Sequence, residues 1–255
     1  MSLKQSTAII ICHYQQAIDL RVSLNSVASQ LQPADQIIVV DDGSAVPPDY
    51  ANLTGEYDAS ILLLTKETNS GGPAIPRNEA ILACDCSHVV FLDAGDVLLP
   101  HTLKVMSEIW IDEPIGLLYG DQVAWGDEIK IPFLQKAGRF EHRTTNAENH
   151  VYEQMLINGN QIFFSGSGGP REAFQTHPFD PTQHWEDFDL WLRLAKAGLP
   201  FKHTGSIHTF YRIQRGSRSG SRSARIQGCQ GIKNAHFQKR PVWRWPLWYW
   251  KQRFL

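Results

Sequence analysis

Acidic pairs at the ends of apolar runs are the residues of this sequence best suited to do chemistry. Asp93-Ala-Gly-Asp96 follows the run His88-Val-Val-Phe-Leu. Two carboxylates in a tight glycine turn can bind a hard divalent cation that bridges a diphosphate. The same residues also make an ordinary Asx-turn with an N-cap for a following helix. Asp41-Asp42-Gly43-Ser44 ends another apolar run. A carboxylate there can accept from a nucleobase N–H or a ribose hydroxyl, or simply form a turn. Glu186-Asp187 opens an amphipathic stretch. It reads either as a helix cap complementing the dipole or as a general base aimed into a cleft. Asn69-Ser-Gly-Gly72 precedes Arg77-Asn78. A glycine loop and a helix start suit an anion, and they equally suit a turn beside a surface Arg.

Each of these groups needs an element to aim it. Thr7–Ile11, Gln36–Asp41, Ser60–Thr65 and His88–Asp93 are short apolar runs that read as buried strands. Leu20, Leu24, Val27, Ala28 and Leu31 share a helical face that ends before Pro33, and residues 74–83 also look helical. Strands of this kind separated by helices predict a parallel sheet covered on both faces. Ligands of such sheets bind beyond the carboxyl ends of the strands, where His13-Tyr14, Asp41-Asp42, Lys66–Asn69 and Asp93–Asp96 all fall. The second half is less regular. It predicts a helix over 103–109, a strand over 115–119, a polar excursion over 126–150 and a strand over 160–165. A flexible Gly166–Pro170 segment, an amphipathic helix over 187–197 and a basic loop over 215–223 follow.

Composition sets the outer bounds. Of the 255 residues, 42% are apolar and 20% charged, which excludes a disordered chain, a collagen-like chain and a disulfide scaffold. No apolar run approaches the roughly 18 residues of a spanning helix. The start, MSLKQSTAIII, lacks the pattern of a secretory signal. Cys12, Cys84, Cys86 and Cys229 form no CxxC, which predicts a reducing compartment. The net charge of −2 hides an asymmetry: all 26 acids lie in residues 1–189, whereas residues 190–255 carry 14 Lys/Arg and no acid. That quarter either meets something anionic or folds back on the acidic body.

There is no P-loop, no GxGxxG after the first strand, no HExxH, no GxSxG and no Cys/His pair at metal spacing. The remaining segments, taken in order over about residues 6–220, resemble family 2 glycosyltransferases with the GT-A fold. Ile9-Ile-Ile-Cys-His-Tyr14-Gln15 is similar to the family's first strand, although Cys12 and His13 depart from its usual start. Ile37-Ile-Val-Val-Asp-Asp-Gly-Ser44 is similar to its second. Asn69-Ser-Gly-Gly-Pro-Ala-Ile-Pro-Arg-Asn78 resembles its NxGxxxARN segment, and Phe91-Leu-Asp-Ala-Gly-Asp96 its Asp-X-Asp segment. Trp185-Glu-Asp-Phe-Asp-Leu-Trp-Leu-Arg193 resembles its ED motif. Tyr211-Arg212 with Ser217 and Ser219 resembles its phosphate-side loop.

The resemblance implies an α/β GT-A domain over 1–225, with a nucleotide-binding half to residue 97 and an acceptor half over 98–225. A basic, Trp-rich tail (226–255) follows. It implies inverting transfer of a sugar from a nucleotide donor, UDP before GDP or dTDP, to a hydroxyl of a glycan or lipid-linked acceptor. Tyr14 would stack on the base, Asp42 contact it, and Asp41 support the loop or the ribose. Arg77 would hold the base or diphosphate, and Arg212, Arg215 and Arg218 would close over the phosphates. Asp187, beside Glu186, would be the general base. Asp93 would reach the ribose or, with Asp96, a manganese or magnesium ion. The acid usual at the centre of that motif is Gly95 here, and Gln214 stands where relatives often have His; His208, nearby, is taken as a third candidate ligand. The Trp/Arg segment 239–255 is a candidate contact for an anionic membrane surface, which would make a cytoplasmic protein peripheral to the inner face; its alternative is packing on the body. Nucleic acid is not expected. The rivals are a GT-A-like binding module without catalysis and a sugar nucleotidyltransferase.

Overall fold

The computed structural model describes residues 5–50, 57, 60–126, 129–140, 150–214, 222–238, 246, 248 and 249. The first half runs β1 (Thr7–His13), α1 (Ala17–Ala28), β2 (Gln36–Asp41), β3 (Ile61–Thr65), α2 (Ala74–Ala83), β4 (His88–Asp93) and β5 (Val97–Leu98). Then come α3 (Thr102–Asp112), β6 (Leu117–Trp125), β7 (Phe133–Gln135), α4 (His150–Asn158), β8 (Gly168–Pro170), α5 (Arg171–Thr176), α6 (Glu186–Lys196), β9 (Phe201–Arg212) and α7 (Arg222–Ile232). A π-helical turn over Lys233–Phe237 continues α7.

The strands form one nine-stranded sheet in the order β3-β2-β1-β4-β8-β6-β9-β5, with β7 attached to β6. The four strands β3, β2, β1 and β4 are parallel, as the apolar runs predict. Their burial shows why the runs do not alternate. In β1, Ala8 and Ile10 enter a core on one face with α2 and α6, while Ile9 and Ile11 enter a second core with α1 and α3. A strand buried on both sides must be apolar at every position, and each fully buried Ile contributes about 1.5–3 kcal/mol. Because the strands are in parallel register, their carboxyl ends come together. Cys12 pairs with Asp93 and His13 with Asp41.

Several expectations change. α1 stops at Ala28, and Leu31 lies past it, 69% exposed. The strand expected at 115–119 is β6, which starts and ends later, and the 126–150 excursion contains β7. Residues 160–165 are not a strand. Asn160 Oδ1 accepts from Ile162 N–H at 3.2 Å, and Ser167 N–H closes a turn on Phe164 C=O. Their apolar side chains serve a pocket wall instead of a ladder. The glycines after them, expected to be flexible, form β8 between β4 and β6. A Cβ on Gly168 would stand 2.3 Å from Val89 O, so only glycine lets this strand in. Residues 222 and 223, expected in a loop, begin α7, while 215–221 lie outside the described residues.

Most of the 239–255 segment also lies outside the described residues. The two aromatics of it that are described pack on the body. Trp248 donates its indole N–H to Leu156 C=O at 2.8 Å and meets Trp185, Phe188 and Phe237, and Tyr249 is buried. Part of the basic region also pairs back on the acidic one, through Arg193–Asp189, Lys202–Glu113 and Arg212–Asp19. No helix among the described residues is long and apolar enough to cross a membrane. None of the four cysteines is in a disulfide.

Candidate active site

The strand ends open into a cleft of about 750 Å³ lined by Tyr14, Asp42, Arg77, Asp93, Asp187 and Arg212, among others. Arg77 lines it. It lies on the inner face of α2 and is only 4% exposed. Nη1 donates to Glu186 Oε1 at 2.7 Å and Nη2 to Asp93 Oδ1 at 2.8 Å. The guanidinium lies over the Phe164 ring, 3.5 Å from its centroid. Although burial opposes its charge, the Asp93 and Glu186 carboxylates raise its pKa further, so it stays cationic. One buried cation thereby ties the end of β4 to the start of α6. This joins Asp93 to the Glu186-Asp187 segment, 93 residues away in sequence.

Asp187 faces the same cleft. Its Oδ1 accepts from Phe188 N–H at 2.7 Å and its Oδ2 from Asn160 Nδ2 at 3.2 Å. Enclosure by protein, and then the Glu186 charge, push its pKa up to about 6. Cys12 also lines the cleft, but burial pushes its thiol up to about 12, so it offers no thiolate.

The remaining acids are more occupied than their sequence positions suggest. Asp42 borders the cleft and holds the glycine loop, accepting from Asn69 Nδ2 at 3.0 Å and from Ser70 N–H and Oγ–H at 3.1 and 2.6 Å. Asp41 is buried outside the cleft lining. It accepts from Ser44 N–H at 2.9 Å and Tyr50 O–H at 2.7 Å. Burial works against its charge, but these bonds outweigh it and hold the carboxyl below its ordinary value. Tyr14 is 43% exposed at the cleft edge, just before Gln15, whose φ of 56° turns the chain out of β1.

The three candidate metal ligands do not converge. His208 is buried away from the cleft, with one ring nitrogen against Gly166 C=O at 2.6 Å and the other against Thr204 Oγ1 at 2.7 Å. It sits on β9 with its side chain turned into the core, which the spacing from Tyr211 does not reveal. Asp96 borders the cleft but is buried, accepting from Ser165 O–H and, at 2.8 Å, from Arg212 N–H. Burial, and then Asp93, push its pKa up to about 8. Among the described residues no group of three His, Cys, Asp or Glu side chains could hold a metal ion. What does face the cleft is Asp93, half exposed, with one oxygen on Arg77. That donor set does not cage a cation. It suits an ion that takes its other ligands from phosphates and water.

Three contributors carried no sequence signal. Asn160 was hidden in an expected strand, and Phe164 in the same run. Asp19 looked like any polar residue of α1. It accepts from the Arg212 guanidinium and from Gln214 Nε2 at 3.0 Å, and its Cβ is 3.4 Å from where a Cβ on Gly95 would stand.

Comparison with known proteins decides the family. Residues 8–174 match the family model described as Glycosyl transferase family 2. The chain belongs to that family. A relative from Escherichia coli, the UDP-Glc:alpha-D-GlcNAc-diphosphoundecaprenol beta-1,3-glucosyltransferase WfaP, is 23% identical over 90% of this chain and 88% of its own. Among solved structures, Staphylococcus aureus TarS 1–349 in complex with UDP-GlcNAc superposes with a TM-score of 0.64 at 17% identity, over 91% of this chain and 68% of that one. The mannosyltransferase PcManGT from Pyrobaculum calidifontis, in complex with GDP-Man and Mn2+, superposes with a TM-score of 0.65 at 16% identity, over 93% and 64%. The glycosyltransferase therefore has the GT-A fold. The family match ends before Glu186, and the ED segment of this glycosyltransferase lies beyond it.

Proposed function

We propose that this glycosyltransferase moves a sugar from a nucleotide donor, UDP-linked by preference, to an acceptor hydroxyl with inversion, Asp187 being the general base. The observation that supports this most is the Arg77 bridge, which holds Asp187 in one cleft with Asp93 and the strand ends. Residues 1–97 serve the donor and 98–225 the acceptor. Tyr14 flanks the base. Asp42 acts through the loop it fixes and through the face it turns to the cleft.

An alcohol attacking an anomeric carbon must lose its proton as the bond forms, and a base within hydrogen-bond reach accelerates that step. Two bonds fix the Asp187 carboxylate in place, and its raised pKa makes it a stronger base than an ordinary aspartate. The departing nucleoside diphosphate gains charge, which needs a cationic partner. Arg212 lines the cleft and supplies that cation by exchanging Asp19 for phosphate. A divalent cation, when bound, would be held by Asp93 and would neutralise the diphosphate.

The base must be ionised to act. The acid limb of kcat/KM is expected near pH 6, about two units above an unperturbed carboxylate, with activity lost as pH falls through it. Glu186→Gln removes the nearest like charge and is expected to move that limb to lower pH. A limb that stays in place when Glu186 is neutralised would detach it from Asp187.

Calorimetric titration with UDP, GDP, CDP and dTDP, each with manganese and with EDTA, tests the donor assignment. One nucleotide is expected to bind, and Asp93→Ala is expected to weaken it about tenfold or more, the loss of one charge-assisted contact. Binding of none would sink the assignment. Binding that EDTA leaves unchanged would move phosphate stabilisation from the cation to Arg212.

A further inference from the structure

Lys130-Ile-Pro-Phe-Leu-Gln-Lys136 places four consecutive apolar residues between two lysines. The segment enters and forms β7, which pairs antiparallel with the end of β6. Consecutive side chains of a strand point to opposite faces, so a strand lying on the body hides one of each adjacent pair. Here neither face is hidden: Phe133 is 47% exposed, Leu134 46% and Ile131 78%. The side chains of Ile131, Phe133 and Leu134 join neither core. Ile213, 38% exposed, joins it at its base by donating its N–H to Trp125 C=O at 2.7 Å. Isolated exposed apolar side chains are common, but an exposed run of four at one tip is a feature that water disfavours and a partner would cover.

The residues around the run indicate which partner. Lys130 and Lys136 are exposed on either side of it, where long cationic side chains can reach phosphates while the apolar tip is buried. Asp127 and Glu128 precede them outside the described residues. Pro132, exposed at the entry to β7, has no N–H to give, and flanking lysines oppose edge-to-edge strand pairing. A second copy adding a strand is therefore disfavoured, and an anionic lipid surface fits. The ribbon also borders the cleft. Gln122 of β6 lines the cleft and donates to Gln135 of β7 at 2.5 Å, and Trp125 lies 5.6 Å from the Arg212 guanidinium.

We propose that the β6–β7 ribbon inserts Ile131, Phe133 and Leu134 into the interface of an anionic membrane, with Lys130 and Lys136 on lipid phosphates. This turns the rim of the cleft toward the lipid headgroups. The contact is separate from the 239–255 segment, whose described aromatics are turned inward.

The test is co-sedimentation of the full chain with vesicles of phosphatidylglycerol and phosphatidylethanolamine, and with vesicles of phosphatidylcholine alone. Binding to the anionic vesicles is expected, with weaker binding to the neutral ones. Combined Ile131→Ser, Phe133→Ser and Leu134→Ser substitution is expected to lower the partition coefficient about tenfold or more. Combined Lys130→Glu and Lys136→Glu substitution is expected to abolish the preference for anionic vesicles. These positions are exposed, so thermal melting within about 2 °C of the parent confirms that the variants fold. No vesicle binding overturns the proposal, as does equal binding by the triple serine variant. A dimer in sedimentation velocity that the same variant dissolves would assign the face to a second copy and overturn it too. Vesicle binding needs no nucleotide, so its failure and a failure of donor binding are read separately.

Discussion

Asp187→Asn is expected to lower kcat by about 10²- to 10⁴-fold, the range a positioned general base supplies, while nucleotide affinity stays within a few-fold of the parent. Asn preserves the shape and, through its one oxygen, the bond from Phe188 N–H, but turns an N–H donor toward the Asn160 amide and has no basicity. The loss therefore falls on the chemical step, in kcat and kcat/KM alike. The acid limb near pH 6 is expected to disappear in what activity remains. Glu at this position keeps the base but displaces it by one methylene, and is expected to recover only part of the rate. Steady-state kinetics over pH 4–9 on the parent and both variants gives the answer. An Asp187→Asn enzyme with unchanged kcat would remove Asp187 from catalysis.

Arg77→Met is expected to be the most damaging change to the protein itself. It removes the Arg77 guanidinium from the Glu186 carboxylate, 8% exposed, and from the Phe164 ring. Breaking a buried ion pair from one side costs about 3–5 kcal/mol, because the remaining charge is stranded. In a chain of this size that is a fall in Tm of roughly 6–10 °C. Asp93 contributes less, since its side chain is 46% exposed and water screens it. Arg77→Lys is expected to rescue poorly, because one ammonium cannot reproduce a planar fork that reaches two carboxylates and stacks on a ring. The diagnostic is the double variant Arg77→Met/Glu186→Gln. Neutralising the buried acid as well is expected to recover part of the lost stability. Melting curves of the four proteins in the cycle measure this. Additive losses would mean that Arg77 and Glu186 act independently.

How legible all this was in the sequence depends on what each residue's neighbours do. β2, α2 and β4 fall where their patterns place them, because strands buried on both faces are apolar throughout and α2 buries one side. The segment around 160–165 misleads for the opposite reason. Phe163 and Phe164 are apolar because one lines the cleft and the other covers a buried guanidinium, not because they belong to a ladder. β8 is two glycines and a proline, which carry no pattern, and its existence rests on close backbone approach. Motif positions pointed to Asp93, Arg77 and Asp187, which line one cleft, but not to who pairs with whom. Asp42 is tied to Ser70, Arg212 to Asp19, and His208 to Gly166. Such partners come from distant segments, and no local spacing encodes them.

The stereochemistry of donor cleavage bears most directly on the central claim that Asp187 drives a single displacement in this cleft. The enzyme would be incubated with the α-linked UDP-sugar whose nucleotide it binds, and the anomeric proton of the released or transferred sugar followed by proton NMR before mutarotation. A single displacement gives the β-anomer first, at a rate that falls by at least two orders of magnitude in Asp187→Asn. Release of the α-anomer first, or a β-anomer rate that Asp187→Asn leaves unchanged, would contradict the account.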